Sequence, residues 1–202
     1  MRRLILLLLI ITSCTSKNKK TDTDFTTVFE KSQGLETATY EQTIEYYSDL
    51  ADTYSEISMK AIGETDSGKP LHIVTLNPDG KFDFDSFREN KRIILINNGI
   101  HPGESDGIDA SMLLLRDLAQ GNINAPKNTI IAVVPVYNIG GALNRNSTTR
   151  TNQNGPEAYG FSGNARNYDL NRDFIKADTK NAKAFTNLFR TVKPDYFIDN
   201  HV

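Results

Sequence analysis

The sequence predicts an α/β domain in which a mixed, largely parallel β-sheet is flanked by helices. Apolar runs alternate along the chain with segments of helical periodicity, as they do in such domains. Two of the runs, "RIILINNG" and "TIIAVVPVYN", are apolar without alternation, which is typical of strands buried on both faces. A length of 202 residues with 38% hydrophobic content suits one domain with a substantial core.

The composition argues against two functional classes. The chain has 23 Lys and Arg against 25 Asp and Glu, a formal net charge of −2, so no basic excess indicates a nucleic-acid partner. Cys14 is the only cysteine. We therefore expect no nucleic-acid binding, no disulfide and no thiolate chemistry in the folded domain.

The first residues predict export and attachment to a membrane. "MRRLILLLLIITSC" has two arginines and then an apolar run from Leu4 to Ile11, which is too short to span a bilayer and is typical of a signal peptide. The run ends in "ITSC", which resembles the lipobox of bacterial lipoproteins, where the cysteine takes the lipid. An ordinary signal peptide with a chance cysteine is the alternative.

The lipobox implies a simple organisation of the N-terminus. We expect residues 1–13 to be a lipoprotein signal peptide and Cys14 to carry the lipid. The stretch "TSKNKKTDTDFTT" is polar and without periodicity, so we interpret residues 14–35 as a flexible tether. The lipid would anchor the protein in the bacterial cell envelope, on a periplasmic or outer-membrane face.

The first elements of the domain follow from the periodicity of the sequence. "TYEQTIEYYSDLADTYSE" has aromatic and aliphatic residues at helical spacing and predicts a helix. "ISMKAIGETDSGKPLHIVTLN" predicts two short strands around the turn "ETDSGKP". His72 lies in the second strand, where no other candidate ligand is near in sequence. We interpret it as a sheet histidine with a hydrogen-bonded ring.

Two strand–helix pairs and a last strand complete the domain. The strand "RIILINNG" precedes the helix "SDGIDASMLLLRDLAQG", which Ser105 or Asp106 would cap and Gly121 would end. Its inward face holds Ile108, Met112, Leu115 and Ala119. The strand "TIIAVVPVYN" leads into a long loop rich in Asn and Gly; such loops are commonly functional. The helix "DTKNAKAFTNLFRTVKP" and the strand "DYFIDNHV" follow. The inward face of this helix holds Ala182, Phe185, Leu188 and Val192.

A candidate metal site lies at the ends of two strands. His101 and Glu104 follow "RIILINNG" in "GIHPGE", and His201 ends "DYFIDNHV". Sites in α/β sheets form beyond the carboxyl ends of strands. Zinc accepts imidazole and carboxylate ligands, and catalytic zinc commonly has three protein ligands. The pattern therefore predicts one zinc ion, although a capping Glu beside a loop His is the alternative for the His-x-x-Glu pair alone.

The segment "YDLNRDF" adds a third motif, and with it the sequence resembles the zinc carboxypeptidases. In that family a His-x-x-Glu pair follows a strand, an Asn-Arg pair lies well downstream, and a third ligand His ends another strand. Here "GIHPGE", "DLNRD" and "FIDNH" occur in that order. The resemblance covers roughly residues 40–202 and implies a zinc carboxypeptidase-like fold with the three ligands named above.

The resemblance also implies roles around the metal. Asn171 and Arg172 would hold the C-terminal carboxylate of a peptide, which suits the planar fork of Arg. A surface ion pair with Asp173 is the alternative for Arg172. Asp169 would orient the first ligand histidine through the second ring nitrogen, and a plain loop-capping Asp is the alternative there.

Two catalytic groups of the family are harder to place. An Arg before the Asn-Arg pair stabilises the oxyanion, and Arg145, Arg150 and Arg166 are candidates, of which we favour Arg150 with Arg166 second. The general base of the family is a Glu well beyond the third zinc ligand. We therefore expect residues 36–202 to be the N-terminal part of a catalytic domain whose C-terminal part is missing. This fragment alone would then be inactive.

The resemblance implies a zinc-dependent metallocarboxypeptidase that hydrolyses peptide bonds at or near the C-terminus of its substrates. Its partners would be peptides with a free C-terminal carboxylate and, through the lipid, a membrane. One alternative is a zinc-dependent N-acyl amino acid amidohydrolase of the desuccinylase and aspartoacylase type, because that group resembles the same pattern. The other is a non-catalytic lipoprotein that binds peptide or peptidoglycan.

Overall fold

The computed structural model describes residues 23–201, so the signal peptide and Cys14 lie outside the described residues. Within that range no helix is both long enough and apolar enough to cross a membrane. Five strands, six α-helices and one short 3₁₀-helix are present in the described range. In chain order they are α1 (Val28–Lys31), α2 (Tyr40–Thr53), β1 (Ile57–Glu64), β2 (Pro70–Leu76), α3 (Phe84–Phe87), β3 (Arg92–Asn97), α4 (Asp106–Gln120), β4 (Thr129–Val134), α5 (Ile139–Leu143), the 3₁₀-helix (Leu170–Arg172), α6 (Lys180–Val192) and β5 (Tyr196–Asp199).

The strands form one mixed sheet in the order β1-β2-β4-β3-β5. β2 pairs antiparallel with β1 and with β4, while β3 pairs parallel with β4 and with β5. The predicted α/β class with a mixed sheet is confirmed. In the parallel part, Asn97 at the end of β3 lies opposite Asp199 at the end of β5, so the residues that follow these two strands leave the sheet at the same edge.

Helices cover both faces of the sheet. On one face α2 and α4 bury Tyr47, Leu50 and Leu115, and on the other α6 buries Phe185 and Leu188. The inward faces of α4 and α6 are those that the helical spacing indicates. α4 begins after Ser105, but the predicted capping by this residue is wrong, because its side chain makes no capping hydrogen bond. The helix ends at Gly121, as predicted.

The packed structure begins earlier than the sequence-based boundary at residue 36. α1 opens with a capping box formed by Thr27 and Glu30, and Phe25 is buried in the core beside α2 and α4. Arg116 on α4 donates hydrogen bonds to the Phe25 carbonyl and the Glu30 carboxylate. The described part of the expected flexible tether therefore folds against α4.

His72 lies in β2 opposite Ala61, as a sheet histidine should. The prediction of a hydrogen-bonded ring is wrong at Nδ1, because this buried nitrogen has no hydrogen-bond partner among residues 23–201. Burial lowers the pKa of the ring, since a charged imidazolium is disfavoured away from water. His72 is thus a neutral residue of the sheet and not part of a ligand cluster.

Candidate metal centre

Three side chains converge beyond the carboxyl ends of β3 and β5. His101 and Glu104 come from the turn after β3, and His201 follows β5. One potential ligand atom from each lies within 4.8 Å of those of the other two. Glu104 stands between the imidazoles, with Oε1 3.4 Å from His101 Nδ1 and Oε2 3.4 Å from His201 Nδ1. The structure therefore brings the three predicted ligands together.

The arrangement fits a metal ion. Glu104 Oε2 is buried and has no hydrogen-bond partner among the described residues. A buried carboxylate oxygen without a donor is costly, and a cation between the three side chains would remove that cost. Two imidazole nitrogens and a carboxylate form a donor set that catalytic zinc uses. We conclude that these residues fit one zinc ion.

Asp169 holds the first histidine in place. Its Oδ1 lies 3.0 Å from His101 Nε2 and also accepts the Asn171 N–H at 2.9 Å. Burial opposes ionisation of this carboxyl, but the hydrogen bonds from His101 and Asn171, together with the electrostatic effect of His101 and Arg172, lower the pKa of Asp169. An ionised Asp169 favours the tautomer with the proton on Nε2, which leaves the Nδ1 lone pair of His101 free for a metal.

Asp199 supports His201 in the same way, a role that was not predicted from the sequence. Its Oδ2 lies 3.1 Å from His201 Nε2, and its Oδ1 accepts a hydrogen bond from Asn97 Nδ2 at 2.9 Å. The sequence does indicate this contact, because Asp199 and His201 are two residues apart in the predicted last strand, and such residues project to the same face. Each histidine therefore has a carboxylate on the ring nitrogen that faces away from Glu104.

Asn98, which follows β3, connects α4 to the residue after β5. Asn98 is fully buried; its amide donates to Ser111 Oγ at 2.8 Å and its Oδ1 accepts from Asn200 Nδ2 at 2.7 Å. Gly107 in the first turn of α4 allows the approach, because a Cβ there would lie 2.5 Å from Asn200 Cβ. The asparagines thus join α4 and the end of β5, and so place His201 next to Glu104.

Arg150 lies directly at the centre. Its Nη2 donates to Glu104 Oε1 at 3.0 Å, and its Nε donates to Gln153 Oε1. Gln153 in turn donates to the Gly103 carbonyl at 2.9 Å, a contact that sequence reasoning did not anticipate. Glu104, Arg150, Gln153 and His201 line a cleft of about 640 Å³. The long loop thus brings a guanidinium beside a predicted metal ligand.

The other two candidate arginines lie elsewhere. Arg166 stacks over the Tyr168 ring, with its guanidinium carbon 4.9 Å from the ring centroid, and stands 3.9 Å from Asp66. Arg145 is directed toward the backbone around Ala38. Of the three arginines, Arg150 is the one that contacts the candidate centre, so the geometry favours the first choice of the sequence analysis.

The predicted carboxylate-binding pair lies on the 3₁₀-helix that follows Asp169. The Arg172 side chain is exposed and donates to the Asn171 carbonyl at 3.2 Å; within residues 23–201 it has no ion-pair partner. Asp173, its alternative partner, instead accepts hydrogen bonds from the Thr179 N–H and hydroxyl at the start of α6. Asn171 and Arg172 do not line the cleft beside Arg150.

Several solved structures share this fold at low sequence identity. A metallo-carboxypeptidase from Burkholderia cenocepacia has a TM-score of 0.59 at 20% identity, over 79% of this chain and 40% of that one. A metallo-carboxypeptidase from Pseudomonas aeruginosa, in complex with (2-guanidinoethylmercapto)succinic acid, has a TM-score of 0.56 at 17% identity, over 79% and 38%. Carboxypeptidase A from Helicoverpa armigera has a TM-score of 0.55 at 12% identity, over 80% and 45%.

The chain therefore spans less than half the length of these proteins. A comparison with curated protein sequences finds no match. The family model for zinc carboxypeptidases matches residues 43–195. That range is more than half of the chain; it includes His101, Glu104 and Asp169, and it ends shortly before His201. On this match the chain belongs to the zinc carboxypeptidase family.

Proposed function

We propose that the protein is a zinc-dependent metallocarboxypeptidase that hydrolyses peptides at or near their C-terminus. The observation that carries this proposal is the convergence of His101 Nδ1 and His201 Nδ1 on the Glu104 carboxylate. It occurs in a member of the zinc carboxypeptidase family. The solved structures that share the fold include carboxypeptidases by name, which supports the same reaction class.

The three ligands would hold one zinc ion. When bound, zinc polarises a carbonyl group and lowers the pKa of a bound water to about 7. The chain's own contribution is to fix the ligands. Asp169 and Asp199 accept hydrogen bonds from the Nε2 atoms of the two histidines, so both Nδ1 atoms are aimed at one point.

Arg150 is the proposed oxyanion-stabilising residue. Its guanidinium stands 3.0 Å from the Glu104 carboxylate at the cleft, so its N–H groups lie next to a residue that would hold the metal. Donors arranged in advance around a developing negative charge supply a large part of the rate enhancement in acyl transfer. We assign Arg150 to the oxygen of the scissile carbonyl group.

Asn171 and Arg172 are proposed to bind the C-terminal carboxylate of the substrate. The Arg172 guanidinium is exposed, and among the described residues it has no carboxylate partner. A planar guanidinium binds a carboxylate through two parallel hydrogen bonds. Asp169 ties the 3₁₀-helix that carries both residues to His101, so a carboxylate bound there would be fixed relative to the metal.

We assign the general base to none of the three carboxylates at the candidate centre. Glu104 is committed to the metal, and Asp169 and Asp199 each accept a hydrogen bond from a ligand histidine. General base catalysis typically contributes about 10²–10⁴-fold. We therefore propose that the 202 residues bind zinc but hydrolyse peptides poorly or not at all without a further carboxylate.

The test compares a peptide that has a free C-terminal carboxylate with its amidated form in the full-length protein. We expect amidation and the Arg172→Ala substitution each to raise KM strongly, and to add little to one another because they remove the same ion pair. Arg166→Ala is the matched control, since that exposed arginine binds Tyr168 and Asp66 away from the centre. Equal cleavage of both peptides would contradict the carboxypeptidase assignment.

Two other outcomes would replace the proposal. Cleavage of N-acyl amino acids with no cleavage of peptides would indicate an amidohydrolase. Binding of peptides or peptidoglycan fragments by the zinc-loaded full-length protein without turnover would indicate a binding protein. Assays of the same protein with peptides, N-acyl amino acids and peptidoglycan fragments distinguish these two outcomes.

We also propose that Cys14 is lipidated and anchors the protein to a membrane of the cell envelope. The support is the position of Cys14 after "ITS" at the end of a short apolar run. Cys14→Ser should release the protein from the membrane fraction, and a variant that stays with the membrane would argue against the anchor.

A further inference from the structure

A short N-terminal segment, residues 35–38, runs between α4 and the loop that carries Arg150; we call it the strap. The strap is fastened to α4 because the Thr37 hydroxyl donates a hydrogen bond to Asp109 Oδ2. Thr37 and Ala38 are 4% and 5% exposed. A polar hydroxyl buried to this extent against a carboxylate fixes the strap relative to the helix that follows the metal-binding turn.

The loop, residues 144–160, forms hydrogen bonds with the strap at both ends of the loop. At one end Arg145 donates to the carbonyl groups of Thr37 and Ala38, both at 3.2 Å, and it also reaches across to the Ala158 carbonyl. At the other end the Glu157 N–H donates to the Leu35 carbonyl at 2.9 Å. One guanidinium therefore joins the strap to both ends of the loop.

The loop passes this restraint on to the candidate centre. Asn146 and Tyr159 exchange two backbone hydrogen bonds of 2.9 Å that close the loop. The buried Tyr159 hydroxyl then accepts the Arg150 N–H at 3.2 Å, and the Arg150 side chain contacts Glu104. A continuous series of contacts thus runs from the strap to the residue proposed to stabilise the oxyanion.

The surroundings of Arg145 suit a positioning role. Its three acceptors are backbone carbonyls, and burial lowers its pKa while nearby Asp109 and Glu36 oppose that shift. A desolvated guanidinium is retained where its fork of fixed donors joins several acceptors, which the single ammonium of Lys cannot reproduce. Because all three acceptors are backbone atoms, these hydrogen bonds fix the path of the main chain in the strap and at the end of the loop.

We propose that Arg145 is a positioning residue that fixes the loop to the strap so that the Arg150 guanidinium stands at Glu104. This inference rests on the proposed function, because it assigns Arg150 a task in the reaction. The N-terminal strap, which the sequence analysis assigned partly to a tether, is on this account part of the support of the active site.

Arg116 offers a matched control. It also binds N-terminal residues to α4, through the Phe25 carbonyl and the Glu30 carboxylate, and it forms no hydrogen bond with the loop. Arg145→Ala and Arg116→Ala therefore each remove an arginine that holds the N-terminal segment, but only the first removes a contact with the loop. Arg145→Lys keeps the charge and loses the fork.

The experiment measures amide hydrogen exchange and peptide hydrolysis in the full-length protein. We expect Arg145→Ala to speed exchange of the Asn146 and Tyr159 amides at least about tenfold, since these amides close the loop. Exchange at Phe161, whose amide binds the Gly141 carbonyl outside the loop, should not change. In hydrolysis kcat should fall about 10–100-fold, with a much smaller change in KM and with zinc content unchanged. Arg145→Lys should give intermediate values.

Arg116→Ala should lower thermal stability without either effect on the loop or on kcat. Exchange of the Asn146 and Tyr159 amides at the wild-type rate in Arg145→Ala, or in Arg145→Lys if the Ala variant does not fold, would overturn the proposal. Equal loss of kcat in the Arg145 and Arg116 variants would also overturn it. If the wild-type protein hydrolyses no peptide, the proposed function is wrong, and the exchange comparison alone decides whether Arg145 positions the loop.

Discussion

Each candidate ligand histidine is held by a carboxylate on its Nε2 side, and this pairing decides which ring nitrogen can bind a metal. Asp169 lies 3.0 Å from His101 Nε2 and Asp199 lies 3.1 Å from His201 Nε2. An imidazole that donates Nε2–H to a carboxylate has its lone pair on Nδ1 and is a stronger base. In both residues that Nδ1 faces Glu104.

Asp199→Asn should therefore weaken zinc binding by about 10–100-fold, the usual cost of losing a carboxylate that supports a ligand histidine. The amide keeps the shape of the side chain, but it cannot carry the charge that stabilises the imidazole proton. Competition with a chelator of known affinity measures the change in Kd.

Asp195→Asn is the control for that measurement. Asp195 precedes the same strand at its opposite end, where it accepts the Ile93 N–H at 2.8 Å and pairs with Arg92. We expect this substitution to change stability and to leave the zinc Kd alone. Equal zinc Kd values for the wild type and Asp199→Asn would show that Asp199 does not support the ligand.

At the scale of elements, the parallel pairing of β3 with β5 creates the site. Asn97 and Asp199 face one another across the two strands, so the turn after β3 and the residue after β5 reach the same edge. α4 then packs against the end of β5, because Gly107 leaves room for Asn200. The ligands thus depend on how closely one helix approaches one strand.

Gly107→Ala should weaken zinc binding as well as stability. The added Cβ would lie 2.5 Å from Asn200 Cβ and 2.8 Å from Asn98 Oδ1, so α4 and the end of β5 must move apart. We expect a loss of about 1–3 kcal/mol in unfolding free energy, as for other over-packed sites, together with a higher Kd for zinc.

Gly121→Ala is the control that separates the effect of Gly107→Ala on zinc binding from its effect on stability. Gly121 ends α4 with a φ of +76°, and a Cβ there would meet no atom within 4 Å. The left-handed conformation alone should cost about 1–2 kcal/mol and leave zinc binding unchanged. A zinc Kd that rises equally in both variants would indicate that zinc binding follows general stability and not the approach of α4.

At the scale of the whole molecule, a buried carboxyl makes stability depend on pH. Burial raises the pKa of Asp109 to about 6; nearby Asp106 adds to the rise, while the Thr37 hydroxyl, the Ala38 N–H and Arg145 oppose it. The folded protein therefore holds this proton more tightly than the unfolded chain does. The resulting stabilisation is present at low pH and is lost as the pH rises through the folded pKa.

We expect the wild type to lose up to about 3 kcal/mol relative to Asp109→Asn as the pH rises from about 4 to 7, since two pKa units correspond to that free energy. Urea unfolding of both proteins across this range measures it. Asp117→Asn is the control of opposite sign: the Arg116 side chain lowers the pKa of Asp117, so that contribution is lost as the pH falls. A constant difference between the wild type and Asp109→Asn would contradict the raised pKa.

Much of the fold was predictable because it rests on local patterns. The continuous apolar run of β3 indicated a central strand, and the apolar stripes of α4 and α6 indicated their buried faces. Helix α1 was not predicted, although the spacing of Thr27 and Glu30 is that of a capping box. The segment before this capping box is polar and without periodicity, and for that reason it was interpreted as a tether.

The site was predictable where its residues follow strands, and less so where they come from the loop. His101, Glu104 and His201 could be assigned because strand ends meet at one edge of a sheet. The choice of Arg150 over Arg166 depends on the course of a long loop that has no regular period. The contact of Arg145 with Ala38 joins residues 107 positions apart, and no local pattern reports such a contact.

The central claim is that His101, Glu104 and His201 together bind one zinc ion, and the zinc content of residues 15–202 tests it most directly. His72 is the third histidine of the chain and lies in β2 outside this group, so His72→Ala serves as the matched control. We expect one equivalent of zinc after dialysis in the wild type and in His72→Ala, and none in His101→Ala or His201→Ala. A folded wild-type chain without zinc, or zinc retained when either ligand histidine is removed, would contradict the claim.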